Sequence, residues 1–252
     1  MVEVYIFLIG IIIGSFLNVC IFRIPREESI IFPASHCSTC KKSIGAFDLI
    51  PLISYVLLKG RSRCCKSKIS LRYPAVELIT GLLFVLIYLQ YGESINLIKY
   101  AIFLALMLVI GFIDFDTSEV YLNTIIFGIL TAGIIMIIQV YFFNYGIDKI
   151  FYYLYGGISG FCIIALIVII TGGMGWGDAE ICFVCGLFLG LKNILILIFL
   201  SFIIGGILGS LLLALKKKSR KDFIPFGPFI TISSIITTLF CTEIVRWYLS
   251  IL

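Results

Sequence analysis

A chain of 252 residues in which 61% of side chains are hydrophobic and only 13% charged carries more apolar surface than a soluble core of that size can hide. A mean hydropathy of +1.17 excludes both a water-soluble globular protein and a disordered chain, and makes lipid the main solvent. The net charge of +5 informs through its placement more than through its sum.

Windows of about 20 apolar residues recur along most of the length, without the alternation of membrane barrel strands. The expected fold is therefore all-α: a polytopic bundle of about eight transmembrane helices with one small cysteine-containing loop domain. The first helix, residues 4–22, lacks a basic n-region and a small-residue cleavage site, and reads as retained rather than as a removed signal. Residues 23–72 follow, with Pro25, Pro33 and Pro51 and few long apolar runs, and form the single candidate for a domain outside the bilayer. Seven more helices are expected at 73–91, 97–113, 121–143, 150–171, 178–190, 193–215 and 225–249. The sixth is short, and the turn between it and the seventh, near Gly190 to Asn193, is the weakest break. The chain thus divides into a first helix (1–22), a loop domain (23–72) and a helical core (73–252), with no evident internal repeat.

The basic residues decide the helix count. Ten of the 19 (Arg23, Arg26, Lys41, Lys42, Lys59, Arg61, Arg63, Lys66, Lys68, Arg72) lie in the first loop, and five (Lys216, Lys217, Lys218, Arg220, Lys221) follow the seventh helix. With eight helices both basic loops fall on one side, and Lys99, Lys149, Lys192 and Arg246 near the other, as the positive-inside bias requires. Seven helices would separate the basic loops. This topology puts the N-terminus outside and makes segments 23–72, 114–120, 172–177 and 216–224 cytoplasmic. The KKKSRK run reads as a topology signal facing the bilayer surface, not as a nucleic-acid patch.

Two groups of acids meet that same face. Asp114, Asp116 and Glu119 follow the third helix in GFIDFDTSEV, and Asp178 and Glu180 open the sixth after GGMGWG. An acid at a membrane boundary is costly unless it is paired, so it is a functional suspect by default. Two carboxyl groups sharing a partly desolvated site hold one proton between them, an acid and a base ready for a water. That is the logic of aspartic proteases. Gly172, Gly173, Gly175 and Gly177 let the backbone turn before the helix, whose dipole favours negative charge at Asp178. The plain alternative makes Asp178 a helix cap and Asp114, Asp116 and Glu119 solvated loop acids.

The segments GSFLNVCIFRIP, DLIPLISYVLLKGR, RYPAVELITG, GFIDFD, GMGWGD and IPFGPF, in that order, resemble the type IV prepilin leader peptidases, membrane aspartic proteases with a GxGD motif. The resemblance implies catalytic aspartates at Asp114 and Asp178. It also implies removal of the basic leader from prepilins and related pseudopilins at the cytoplasmic face of a bacterial cell membrane, with methylation of the new N-terminus by S-adenosylmethionine. Three positions depart from the family pattern. Leu122 and Asn123 stand where Pro and Asp are usual, and Glu180 replaces a frequent lysine, altering the charge beside the pair. Of two C-x2-C motifs in the family's first loop, Cys37 and Cys40 are intact, whereas Ser62 replaces the partner of Cys65. Cys64 or His36 is the remaining donor, and the set Cys37, Cys40, Cys64 and Cys65 favours zinc over a disulfide in a reducing compartment.

Other residues read as structural. Cys20, Cys162, Cys182, Cys185 and Cys241 fit small packing side chains. Glu77 is placed to meet a loop arginine such as Arg72, and Asn18 to bridge helices or line a groove. Gly10 and Gly14, Gly156 and Gly160, and Gly205 and Gly209 have the spacing of close helix contacts. A proton- or cation-coupled transporter using Asp114, Asp116 and Asp178 is the competing class, disfavoured because these acids sit at helix ends rather than at mid-membrane.

Overall fold

The computed structural model describes residues 1–37, 39–143, 145–215 and 224–251. The basic cluster Lys216, Lys217, Lys218, Arg220 and Lys221 lies outside these residues. Among them there are helices and isolated bridges but no strand. Contacts divide the chain into two compact units, Met1–Glu93 and Ser94–Leu252.

The first unit is a helical hairpin with a loop hung from it. Helix α1 (Val2–Arg23) runs antiparallel to α3 (Arg72–Tyr91). Their backbones touch because two small residues face the partner: a Cβ at Gly10 would lie 2.7 Å from the Gly81 Cα, and one at Gly14 2.7 Å from the Glu77 Cα. One turn further along, the buried Asn18 amide donates to the Tyr73 carbonyl at 3.0 Å, so its role is to bridge the two helices. The buried Arg23 then ties down the start of the loop, donating to the Ser29 and Pro33 carbonyls at 2.7 and 2.6 Å. A single short helix, α2 (Ile53–Leu57), interrupts the loop. Glu77 reaches into it and accepts the Leu52 N–H at 2.8 Å.

The second unit contains α4 (Ile95–Thr117), α5 (Leu122–Phe143), α6 (Asp148–Thr171), α7 (Trp176–Leu189), α8 (Leu191–Ala214) and α9 (Gly227–Ile251). Gly190, with φ of 79°, breaks α7 from α8, and a Tyr152 ring fills the space its Cβ would need. The eight expected helices are therefore all present. Seven are long and apolar enough to cross a membrane. The exception, α7, has 14 residues and so a length of about 21 Å, short of the roughly 30 Å hydrocarbon core. Ten of its residues are buried, from Asp178 to Leu189, so protein rather than lipid surrounds it.

Close crossings hold α7 in place. Gly186 meets the Gly156 backbone, and a Cβ at Gly160 would lie 2.5 Å from the Cys182 carbonyl, which sets α6 and α7 antiparallel. On another side α7 packs on α4, with Phe103 and Phe188 stacked at 5.0 Å and the Cys185 thiol 3.6 Å from the Met107 sulfur. Helix α9 runs back along α4, where the Thr231 hydroxyl donates to the Met107 carbonyl at 2.9 Å, and along α8, where the Cys241 thiol meets Asn193 at 3.1 Å. Gly209 is the exception among the spaced glycines: nothing lies within 4 Å of the Cβ it would carry, so it marks no contact.

These environments predict opposite signs for one substitution. Gly14→Ala drives a methyl group into backbone that cannot swing aside, and should lower the stability of the detergent-solubilised protein by about 1–3 kcal/mol. Gly209→Ala meets open space and should raise it by up to about 1 kcal/mol through helix propensity. Thermal unfolding followed by circular dichroism reads both, and a destabilised Gly209→Ala would contradict the placement of α8.

Candidate active site and cysteine cluster

The register of α4 on α7 determines where the two sequence-predicted acids fall. Phe103 faces Phe188 and Met107 faces Cys185, so the helices are antiparallel and in step. Seven residues beyond Met107 stands Asp114, and seven residues before Cys185 stands Asp178. Two turns along each helix from one shared contact, the aspartates reach the same level, close enough for the charge of Asp114 to act on Asp178. Both are buried, with exposures of 4% and 5%.

Each carboxyl group is held by a backbone amide. The Gly227 N–H donates to Asp114 Oδ2 at 2.8 Å, and the Gly175 N–H to Asp178 Oδ2 at 3.3 Å. Asp178 is the third residue of α7 and reaches back to the residue that starts it, half of a capping box, so the capping role is real and employs one of its two oxygens. Asp114 lies within the last turn of α4 rather than in a solvated loop. Gly227 is a site residue that sequence reasoning missed. A Cβ there would lie 2.5 Å from Asp114 Oδ2, so only glycine brings its amide to the carboxylate. The signal was present, since Gly227 sits in IPFGPF, but its contact spans 113 residues of chain. Gly177 has a similar constraint against Val120, where a Cβ would lie 2.5 Å from Cγ2.

The other acids separate from the pair. Asp116 and Glu119 are exposed, and Glu119 accepts the Tyr121 hydroxyl at 3.0 Å. Glu180 faces the opposite side of α7, lining an open groove of about 380 Å³ with Leu122, Ile125, Ile129, Ile158, Phe161 and Phe183. It does not contribute to the environment of Asp178, contrary to the expectation of altered local charge. Cys182 and Cys185 are buried packing residues. Lys99, near the far end of α4 and about 22 Å from Asp114 by helical rise, is buried with its ammonium 3.7 Å from the Tyr153 ring.

In the first unit the loop gathers four thiols. The sulfurs of Cys37, Cys40, Cys64 and Cys65 all lie within 4.8 Å of one another. Cys37 is 3.7 Å from Cys65, and Cys40 is 3.0 Å from Cys64. Tetrahedral thiolate ligands around zinc stand about 3.8 Å apart, so modest opening of the second pair would admit the ion; the group could hold a metal. N–H groups of Cys40 and Thr39 point at the Cys37 sulfur and bring its pKa down to about 5, stabilising the thiolate a metal requires. His36 is not in the cluster. Its ring lies 3.3 Å from the Ala34 carbonyl, and its backbone pairs with Ser43.

A buried carboxyl pair at one end of a helical membrane bundle defines a class, the membrane aspartic hydrolases. Comparisons with known proteins narrow it. The model of the bacterial peptidase A24 N-terminal domain matches residues 8–91, and that of the type IV leader peptidase family matches residues 101–210. A prepilin leader peptidase/N-methyltransferase of Bacillus subtilis (strain 168) is 31% identical over 97% of this chain and 96% of its own length. Relatives with the same description in Aeromonas salmonicida (strain A449) and Neisseria gonorrhoeae are 30% and 31% identical, over 97% and 89% of this chain and 93% and 86% of their own. No solved structure matches. The chain belongs to the type IV leader peptidase family. It is an enzyme with several membrane helices, and the transporter reading finds no support among these relatives.

Gly227→Ala tests the geometry. Displacing the amide from Asp114 by about 1 Å should lower kcat by roughly 10²-fold in a peptide-cleavage assay while the helical content is kept. Turnover at the original level would show that the amide contact is dispensable.

Proposed function

We propose that Asp114 and Asp178 together hydrolyse a peptide bond, removing the basic leader from type IV prepilins and related pseudopilins. The observation that carries this reading is the shared level of two buried carboxyl groups, set by the α4–α7 register. With one proton between them, one carboxylate draws a proton from a water attacking the scissile carbonyl carbon. The protonated partner hydrogen-bonds the carbonyl oxygen and delivers a proton to the departing amine. The Gly227 and Gly175 amides hold both groups in place without a cation that would lock either as an ion pair.

The substrate assignment rests on the relatives, each described as a prepilin leader peptidase/N-methyltransferase. We place the pair at the cytoplasmic face of the bacterial cell membrane with the N-terminus outside, because ten basic residues fall in the loop 23–72. In this division of labour the loop carries a structural zinc ion on Cys37, Cys40, Cys64 and Cys65, and the helices after residue 73 form the peptidase core. Methylation of the freed N-terminus, with S-adenosylmethionine as donor, follows from the relatives' description alone.

Asp114→Asn and Asp178→Asn should each reduce cleavage of a co-expressed prepilin by at least about 10³-fold, with the variant still in the membrane. Full cleavage by either would falsify its catalytic assignment. Mass analysis of the pilin processed by the unaltered enzyme reads the second activity: a gain of one methyl group at the N-terminus is expected, and its absence confines the enzyme to proteolysis.

A further inference from the structure

The cysteine loop is built from one turn used twice. His36 bridges Ser43, and Arg61 bridges Lys68, at a shift of 25 residues. Within the first turn the Cys37 N–H donates to the Lys42 carbonyl at 2.9 Å and the Lys41 N–H to the Cys37 carbonyl at 2.9 Å. In the second the Ser62 N–H donates to Ser67 at 2.9 Å and the Lys66 N–H to Ser62 at 3.0 Å, the same two bonds at the same shift. Lys41 and Lys66 occupy the same left-handed conformation, with φ of 59° and 58°. The Cys40 sulfur receives the Lys42 amide and the Cys65 sulfur the Ser67 amide, again equivalent positions. An internal repeat therefore exists where the amino-acid sequence displayed none.

This register assigns each thiol a place. Cys40 corresponds to Cys65, and Cys37 corresponds to Ser62. Cys64 corresponds to Thr39 and so belongs to no ligand position of the turn, yet its sulfur completes the cluster beside Cys40. The Ser62 hydroxyl meanwhile lies where the repeat calls for a thiol, 3.2 Å from the Cys65 sulfur and 3.0 Å from the Ser67 hydroxyl.

We propose that the second turn holds a latent ligand position at Ser62, and that Cys64 supplies the fourth thiolate from outside the repeat, as the exchangeable arm of the metal site. The inference rests on the reading of the loop as a site for a divalent d10 cation such as zinc. Cys37, Cys40 and Cys65 are delivered by equivalent backbone positions. Cys64 must turn its side chain toward the same point as its immediate neighbour, and it is exposed. A donor so placed exchanges more readily than the other three, and a thiol at position 62 displaces it.

The test uses the full-length protein purified in detergent, loaded with zinc for affinity and with cobalt for spectroscopy. The unaltered chain should hold one zinc per chain and give the absorption of a tetrathiolate cobalt site. Cys64→Ala should lower zinc affinity at least 10-fold in chelator competition and shift the cobalt spectrum to that of fewer thiolates. Adding Ser62→Cys to it should restore both, whereas adding Ser62→Ala should not. In Ser62→Cys alone, Cys64 should become alkylatable by a maleimide in the zinc-loaded protein, read by peptide mass mapping, while in the unaltered protein it stays protected. An unchanged cobalt spectrum in Cys64→Ala overturns its role as ligand. Failure of Ser62→Cys to rescue, or continued protection of Cys64 in that variant, overturns the latent position while leaving the metal site standing. Absence of zinc from the unaltered chain overturns the metal reading itself, and this inference with it.

Discussion

The antiparallel register of α4 against α7 is the constraint from which the rest of the site follows. Two acids 64 residues apart in the chain share a level because a stacked pair of phenylalanines and a thiol–thioether contact lie two turns away on the same two helices. In lipid, apolar side chains gain little by leaving their solvent, so such packing contacts, and the close approach allowed by Gly156, Gly160 and Gly186, carry the association. The shortness of α7 is tolerable for the same reason. Surrounded by protein, it has no hydrophobic length to match to the bilayer, and Asp178 at its start need not be carried to the opposite surface.

How the carboxyl groups are held matters as much as where they are. Among the described residues neither aspartate forms a salt bridge. A guanidinium partner would keep its carboxylate ionised and deprive the pair of its shared proton. Backbone amides offer a hydrogen bond with less bias between protonation states, and they come from glycines because a side chain would occupy the space between amide and acid. Gly227 thus brings α9 into the site without contributing a side chain. Such a residue is invisible to any search for chemically reactive groups, although its substitution strikes the reacting atoms directly.

Where a reading depended on period, charge or chain direction, it was legible in the sequence. The helices followed from apolar length, and the common level of Asp114 and Asp178 from counting reversals of direction. The separation of Asp116 and Glu119 from the pair was not legible, because it depends on whether α4 extends past Asp114; it does, to Thr117, and the later acids are left in water. Glu180 illustrates a different limit. Two residues from Asp178 means about 200° around a helix, so sequence proximity overstated its influence. The first helix and the loop were separable by composition, yet Gly10, Gly14 and Asn18 join α1 to α3 as one hairpin, and the loop is the connection within it. His36 had the right chemistry at the right spacing, but its ring is turned toward the Ala34 carbonyl.

Backbone and side chain have diverged to different degrees in the cysteine loop, and the difference explains why its repeat could not be read from residue names. Each turn is closed by two main-chain hydrogen bonds and one left-handed lysine, none of which needs a cysteine. The frame therefore survives replacement of a donor, as it has at Ser62, and the lost thiol can be recovered from a neighbouring position provided that the side chain reaches the same point. A site whose ligands were themselves the only closure of the loop would lose its shape along with the donor, and a substitute at Cys64 would then have nothing to converge upon.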